Sequence, residues 1–354
     1  MERIDERDVM FSRMARRDGT NAYREYYEAN PDKKGVDDEL RNMPNMNGNQ
    51  TRFHHPLNSP MVDAAFGFLS DIKGLVEGPN ASEYVTKDTS ENFTKKLNGL
   101  AKFYGAKITG VAAANEKYYY SHRGRFDENF GDLVDNILPY TFVFAVEMEK
   151  DYIDRAPFLP QSIAVTKGYV DAAIIGMIIT YYIKSLGYEA RNHMDGNYLM
   201  VMPLAAKAAG LGDTGRHGLL ITPEYGARIR LGAVTTSMPL KPDKISKFNV
   251  KDFCSICGRC AQYCPAGAIS KFEADEVFGE KRWQIKQELC YKKWLEFGTD
   301  CGICLAKCPF STPIEDSEIE KYIANSGYAH EILRRVDSQK AAQVTGNSNL
   351  DWLK

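Results

Sequence analysis

Residues 254–265 read Cys254-Ser255-Ile256-Cys257-Gly258-Arg259-Cys260-Ala261-Gln262-Tyr263-Cys264-Pro265, and residues 290–309 reduce to Cys290-x10-Cys301-x2-Cys304-x3-Cys308-Pro309. Both halves end in x3-Cys-Pro, so the stretch is an internal repeat. Three thiolates two residues apart can wrap one iron–sulfur cube only if the backbone loops tightly round it and offers amides to its sulfides. The Cys-Pro step then turns the chain away, and the fourth cysteine reaches the other cluster. The spacing therefore assigns Cys254, Cys257, Cys260 and Cys308 to one [4Fe–4S] cluster, and Cys264, Cys290, Cys301 and Cys304 to a second. Zinc is the competing reading, since two sites of four thiolates would also use eight cysteines. Zinc ribbons pair separate Cys-x2-Cys knuckles, however, and have no use for a third cysteine two residues on.

Outward from this stretch, the composition is that of an ordinary globular chain: 354 residues, 44% hydrophobic and 26% charged. All eight cysteines lie between Cys254 and Cys308, and clustering of that kind points to metal rather than disulfides. A net charge of −2 provides no global basic field for a polyanion, which weighs against nucleic acid as a partner. Arg16-Arg17 is followed by polar Asp18-Gly19-Thr20-Asn21, where a twin-arginine export signal would need an apolar run. The apolar stretch Ala172–Tyr182 is about half of the ~20 residues that a membrane span requires. The expectation is a soluble, cytoplasmic chain without membrane insertion.

The pattern along the chain divides it into four parts. Residues 1–90 form a polar N-terminal lobe expected to be irregular, with one short helix around Arg24–Glu28. Residues 91–245 form a core. There Asn92–Tyr104 suits a helix, with Phe93, Leu97, Leu100 and Phe103 at 3.6-residue spacing. Ile108–Ala112, Thr141–Val146 and Arg228–Val234 read as strands, Val165–Leu186 as a long central helix between layers, and Pro203–Ala209 as a shorter helix. Residues 246–315 form the cysteine-rich unit, and residues 316–354 a tail with one helix, Asp316–Ala324. Without regular βαβ alternation the expected class is an α+β layered fold.

The block Ala209-Gly210-Leu211-Gly212-Asp213-Thr214-Gly215-Arg216-His217-Gly218-Leu219-Leu220-Ile221-Thr222-Pro223-Glu224-Tyr225-Gly226-Ala227-Arg228-Ile229-Arg230-Leu231-Gly232 resembles the cobalamin-dependent reductive dehalogenases. Ser237-Met238-Pro239-Leu240 and the two cysteine motifs follow in that family's order. The segments Glu6–Arg13 and Asp37–Pro44 resemble its mature N-terminus, so the likeness covers roughly residues 5–315. It implies a nitroreductase-like core that holds a base-off cobalamin or related corrinoid, packed against a bacterial-ferredoxin-like unit, although the x10 gap after Cys290 departs from the symmetric ferredoxin. It also implies the reaction R–X + 2e⁻ + H⁺ → R–H + X⁻ on a small organohalide. Co(I) would attack the substrate or its halogen, and the clusters would pass electrons from a low-potential donor such as ferredoxin or flavodoxin.

Carried over by motif, the proton donor is Tyr169, after Gly168. Its basic partner is Arg230, and a Gly-Asn step falls on Gly196-Asn197. A phenol with pKa near 10 is a poor acid at neutral pH, and a nearby guanidinium improves it. Within the block, Gly210, Gly212, Arg216, His217, Gly218, Thr222 and Pro223 are expected at the corrin, although the glycines read equally as caps and turns. From the residues alone, Tyr169 is one of 20 tyrosines, and Arg230 suits a surface ion pair as well. Arg191-x-His193-x2-Gly196 half-matches a cobalt-ligating Asp-x-His-x2-Gly signature, but the Asp is missing. Two rival functions stay open. One is an epoxyqueuosine reductase-like enzyme acting on tRNA, against which the chain has Gly215-Arg216-His217 where that family has Gly-Lys-Asn. The other is an electron-transfer protein reducing a partner-bound corrinoid, for which the place beside Tyr169 would be filled.

Overall fold

The computed structural model describes residues 3–277, 280–342 and 348–353; residues 1–2 of the expected lobe, 278–279 of the cysteine unit and 343–347 and 354 of the tail lie outside them. Its centre is a four-stranded antiparallel sheet in the order β1-β2-β6-β3, from β1 (Ile108–Ala113), β2 (Tyr140–Glu147), β3 (Ala190–His193) and β6 (Ile229–Thr236). Two short strands, β4 (Asp213–Thr214) and β5 (Leu220–Ile221), form a separate hairpin. The central strand β2 is buried on both faces, which is why it reads as an unbroken apolar run. Its pleat divides the core. Phe142, Phe144 and Val146 pack with Ile175, Ile179 and Ile183 of the long helix and with Phe93 and Leu97 of the helix Ser90–Phe103. Val143 and Ala145 point the other way, onto Ala205 and Ala206 of the helix Met202–Ala208.

The long helix runs from Leu159 to Ser185, starting six residues before the expected Val165 because Pro160 sits in its first turn. By length and composition it could cross a membrane, yet 56% of its most apolar window is buried inside the protein. One flank lies on the sheet; another meets the N-terminal helix Ser59–Ile72 through Ala173 and Leu69. The layering expected for this helix is therefore present, with the N-terminal lobe as one layer. Close approach to β3 depends on Gly176, where a Cβ would lie 2.0 Å from Oδ1 of buried Asn192.

The structure differs from the expected elements in three places. Ala190–His193 is an edge strand paired with β6, in addition to the three expected strands; at four residues it is too short for its alternation to register. The N-terminal lobe is helical, not irregular, with helices Met10–Ala15, Asn21–Ala29, Pro31–Arg41 and Ser59–Ile72. Thr20 caps the second of these and Pro31 opens the third. A buried ion pair, Arg13–Asp37 at 2.6 Å, ties the first helix to the third, and Arg13 also pairs with Glu288 in the cysteine unit. The tail carries a second helix, Ala329–Ala342, after the expected Asp316–Ala324. Its buried Ile332 and Val336 pack on the cysteine unit.

The cysteine unit does not stand apart. One apolar cluster joins Met148, Ile153 and Val165 of the core to Cys254, Cys308 and Phe310, and to Tyr322 and Ile332 of the tail. Overpacking a well-packed core position costs typically about 1–3 kcal/mol, and a side chain at Gly176 would run into the buried Asn192 carboxamide. Gly176→Val is therefore expected to lower unfolding stability by that amount, read as an earlier urea midpoint under anaerobic conditions. An unchanged midpoint would mean that the helix and β3 separate freely at this point.

Candidate active site

The eight thiols fall into two neighbouring groups. Cys254, Cys257, Cys260 and Cys308 line one small cavity, together with Phe253, Phe310 and His217. Burial pushes the Cys308 thiol well above its ordinary value, and Cys254, Cys257 and Cys260 push it further. In the second group, burial takes Cys290 up to about 12, with Cys301 and Cys264 adding to it. Cys304 is raised by burial and then by Cys290 and Cys301, and it also feels Cys260 across the gap between the groups. Thiols so placed resist ionisation unless a cation compensates them. Among the described residues no three ligand side chains converge as a single metal ion needs. A tetrahedral Zn–S distance of ≈ 2.3 Å would bring sulfurs within about 3.8 Å of one another.

The backbone supports these cradles with left-handed turns and amide donors. Gly258 (φ 60°) ends the helix Val250–Cys257, and Cys301 (φ 61°) and Gly302 (φ 66°) open the helix Ile303–Ala306. Cys301 takes this backbone without being glycine, a conformation that the surroundings must hold. Its N–H donates to Thr299 Oγ1 at 3.3 Å. Amides point at sulfur, among them Arg216 N to Cys254 Sγ at 3.5 Å and Ala268 N to Cys264 Sγ at 3.3 Å.

A larger cavity of about 280 Å³ lies between the sheet and the cysteine unit. Tyr169 from the long helix, Arg230 from β6, Asp195 and Tyr198 from the loop after β3, and Leu305 beside Cys304 all line it. The Arg230 guanidinium carbon sits 3.9 Å from the centre of the Tyr169 ring, well within cation–π range. Gly168 makes this possible, because a Cβ there would lie 3.0 Å from Arg230 Cβ. The glycine of the Gly168-Tyr169 step thus lets β6 cross the helix closely. Arg230 is not at the surface in an ion pair. Its Nη2 approaches Met148 Sδ at 3.8 Å, and its Nε is buried with no partner.

Burial pushes the Tyr169 phenol above its ordinary value, and Arg230 pulls it back down. Asp300, next to Cys301, is raised to about 6 by burial, with Arg230 lowering it and Asp195 raising it. Neither acid was singled out in the sequence. Asp195-Gly196 carries only a generic turn signal, and Asp300 reaches Arg230 only through the fold.

Asn197 does not line this cavity. Its Oδ1 accepts from Arg191 at 2.7 Å and Arg123 at 3.3 Å, and its Nδ2 donates to Lys73 O at 2.8 Å. His193 lines the cavity with both ring nitrogens engaged. Nδ1 accepts from Leu199 N at 3.2 Å, and Nε2 faces Thr235 Oγ1 at 3.1 Å.

The residues of the 210–223 block divide between packing and the cysteine unit. A Cβ on Gly210 would meet Lys244 O at 2.5 Å and one on Gly212 would meet Ile221 O at 2.1 Å. Contacts within the protein therefore explain both glycines. Gly218 takes φ 77° in the turn between β4 and β5. Arg216 grips the cysteine unit: Nε and Nη2 donate to Cys254 O, Nη1 donates to Ser270 O and Phe272 O, and the guanidinium stacks on Trp283 at 4.4 Å. His217 faces the thiols. Thr222 Oγ1 accepts Tyr225 N at 3.1 Å, fixing the turn that contains Pro223. Of this stretch, Leu219 and Leu220 reach the Tyr169 cavity.

Residues 253–312 match the 4Fe-4S dicluster domain family. A tetrachloroethene reductive dehalogenase of Desulfitobacterium hafniense is 35% identical over 289 residues, which are 68% of this chain and 51% of that protein. One from Sulfurospirillum multivorans is 29% identical over 260 residues, 63% of this chain and 52% of that protein. The chain thus spans about half the length of the curated relatives it matches. The epoxyqueuosine reductase of Listeria monocytogenes is 41% identical over 64 residues, 18% of this chain. Among solved structures, the catabolic reductive dehalogenase NpRdhA in complex with 3-bromo-4-hydroxybenzoic acid superposes with a TM-score of 0.75 at 20% identity. The match covers 96% of this chain and 46% of that one. A reductive dehalogenase whose structure suggests a mechanism for B12-dependent dehalogenation superposes at 0.70, also at 20% identity, over 85% of this chain and 45% of that one. Fold, dicluster domain and sequence agree in their likeness to the reductive dehalogenases.

Proposed function

We propose that the chain is a corrinoid- and iron–sulfur-dependent reductase that cleaves a carbon–halogen bond in a small organohalide, R–X + 2e⁻ + H⁺ → R–H + X⁻. The observation that carries this reading is the Tyr169–Arg230 pair, a phenol stacked on a guanidinium 3.9 Å away inside a cavity whose wall includes the neighbour of Cys304. Tyr169 is the proton donor and Arg230 its partner. The cavity fits a base-off corrinoid in two respects. Its walls are largely apolar, with Met194, Val201, Leu219, Leu220, Ile229 and Leu231 positioned to hold a macrocycle. His193, the only histidine among its lining residues, has no nitrogen to spare for a metal. Bound there, the corrinoid would supply low-valent cobalt chemistry on the halogenated carbon or the halogen.

The remaining tasks fall to the chain's own side chains. The Tyr169 hydroxyl delivers the proton to the carbon that loses halide. Arg230 stabilises the phenolate left behind, and its unpartnered Nε offers a donor to the departing anion. Cys254, Cys257, Cys260 and Cys308 hold one cluster, and Cys264, Cys290, Cys301 and Cys304 hold the other. Bound there, the clusters would supply single-electron transfer from a low-potential donor such as ferredoxin or flavodoxin, and Leu305 beside Cys304 is the part of the cavity wall that adjoins them. An electron-transfer protein serving a partner-bound corrinoid would have no use for a cavity beside Tyr169. The likeness to epoxyqueuosine reductase covers mainly a short segment, and a net charge of −2 provides no global basic field to hold tRNA.

A positioned general acid contributes roughly 10²–10⁴-fold. Tyr169→Phe is therefore expected to cut organohalide turnover at least about 100-fold with iron and cobalt content intact, and retained turnover would remove Tyr169 from the mechanism. Arg230→Gln takes away the cation that lowers the phenol's pKa. The phenol then stays protonated to higher pH, so the alkaline limb of the rate profile should move upward while the maximal rate falls. A limb that stays in place would mean that Arg230 does not act on the phenol. Cys257→Ser should remove one cluster and leave about four iron atoms per chain; unchanged iron would overturn the ligand assignment.

A further inference from the structure

His217 occupies the turn between β4 and β5 and is 1% exposed. Its Nδ1 accepts the backbone N–H of Leu219 at 3.2 Å. A neutral imidazole that accepts at one nitrogen carries its proton on the other, so Nε2 is a donor. Among the described residues that donor is buried without a partner, a loss of about 1–3 kcal/mol if nothing meets it. The ring lines the cavity shared by Cys254, Cys257, Cys260 and Cys308, not the one at Tyr169. The turn is held in place: Gly215 N donates to Leu219 O at 3.0 Å, Gly218 N to Gly215 O at 2.9 Å, and Arg216 locks onto Cys254 O.

We propose that the Nε2–H of His217 donates a hydrogen bond to a sulfur of the cluster held by Cys254, Cys257, Cys260 and Cys308, and that this bond raises the cluster's reduction potential. The inference rests on the cluster assignment above. Reduction adds one electron and no proton, and the reduced cluster carries one more negative charge, so the bond is stronger after reduction than before it. His217 and the Arg216 amide then act together, one on the cluster and one on the Cys254 sulfur, from a single turn of the core. The same turn sends Leu219 and Leu220 to the Tyr169 cavity, so the tuned cluster lies one hairpin away from the reaction site.

The test is an EPR-monitored redox titration of the full chain, loaded anaerobically with iron and sulfide, in wild type, His217→Leu and His217→Gln. In His217→Leu the midpoint of one cluster should fall by about 59 mV, a tenfold change for one electron, while the other stays where it is. His217→Gln, which keeps an N–H donor, should recover most of the difference. Unmoved midpoints at about eight iron atoms per chain would overturn the hydrogen bond alone, as would a shared shift of both clusters. About four iron atoms in the wild type would overturn the cluster assignment itself. Should His217→Leu fail to assemble, pulsed EPR on wild-type chain labelled with [15N]histidine decides. A histidine nitrogen coupled to the reduced cluster supports the bond, and its absence contradicts it.

Discussion

Strand β6 crosses the long helix with only the hydrogen of Gly168 between the helix backbone and Arg230. That close crossing sets the guanidinium on the face of Tyr169, and much of the site follows from it. Four residues before Arg230, Gly226 gives way to the Phe310 carbonyl, where a Cβ would come within 1.8 Å. Arg228 donates to Ser311 O at 2.8 Å and to Met148 O at 2.9 Å. Residues 226–230 are thus a seam. One end fastens the cysteine unit to the sheet, and the other carries the cation that faces the cavity.

The seam places charge where water is scarce. Arg230 acts on both Tyr169 and Asp300, lowering each against the upward push of burial. Asp300 in turn adjoins Cys301, so the electrostatics of the cavity and of the second group of thiols share a boundary. In a low-dielectric interior such interactions are worth more than at the surface. Seven of the thiols pose the same problem on a larger scale: burial above all pushes Cys254, Cys257, Cys260, Cys290, Cys301, Cys304 and Cys308 up, so they stay protonated unless a cation compensates them. Iron loading and consolidation of this half of the protein are expected to be coupled.

Much of this was legible in the sequence because it depended on local spacing. The two thiol groups follow from Cys-x2-Cys-x2-Cys-x3-Cys-Pro, and the strands around Val111, Phe144 and Val234 and the helix around Ile175 follow from apolar runs. What escaped is tertiary in origin. β3 is four residues long and earns its place through Asn192 under Gly176. The helix Ala329–Ala342 shows only Ile332 and Val336 as an apolar stripe, and its partner is the cysteine unit. Asn197 matched a motif, yet its carboxamide is taken up by Arg191, Arg123 and Lys73. Arg216 and His217 stood in a block expected at the corrin, but face the thiols because the β4–β5 turn points that way. No periodicity encodes the direction of a turn.

The central claim is that this one chain holds two iron–sulfur clusters and a base-off corrinoid, the corrinoid in the cavity that Tyr169 and Arg230 line. It is tested most directly by metal content and EPR after anaerobic expression with hydroxocobalamin. The account predicts about eight iron atoms and about one cobalt per chain, with the signal of base-off cob(II)alamin. Iron without cobalt would leave the clusters standing and contradict the reductase mechanism.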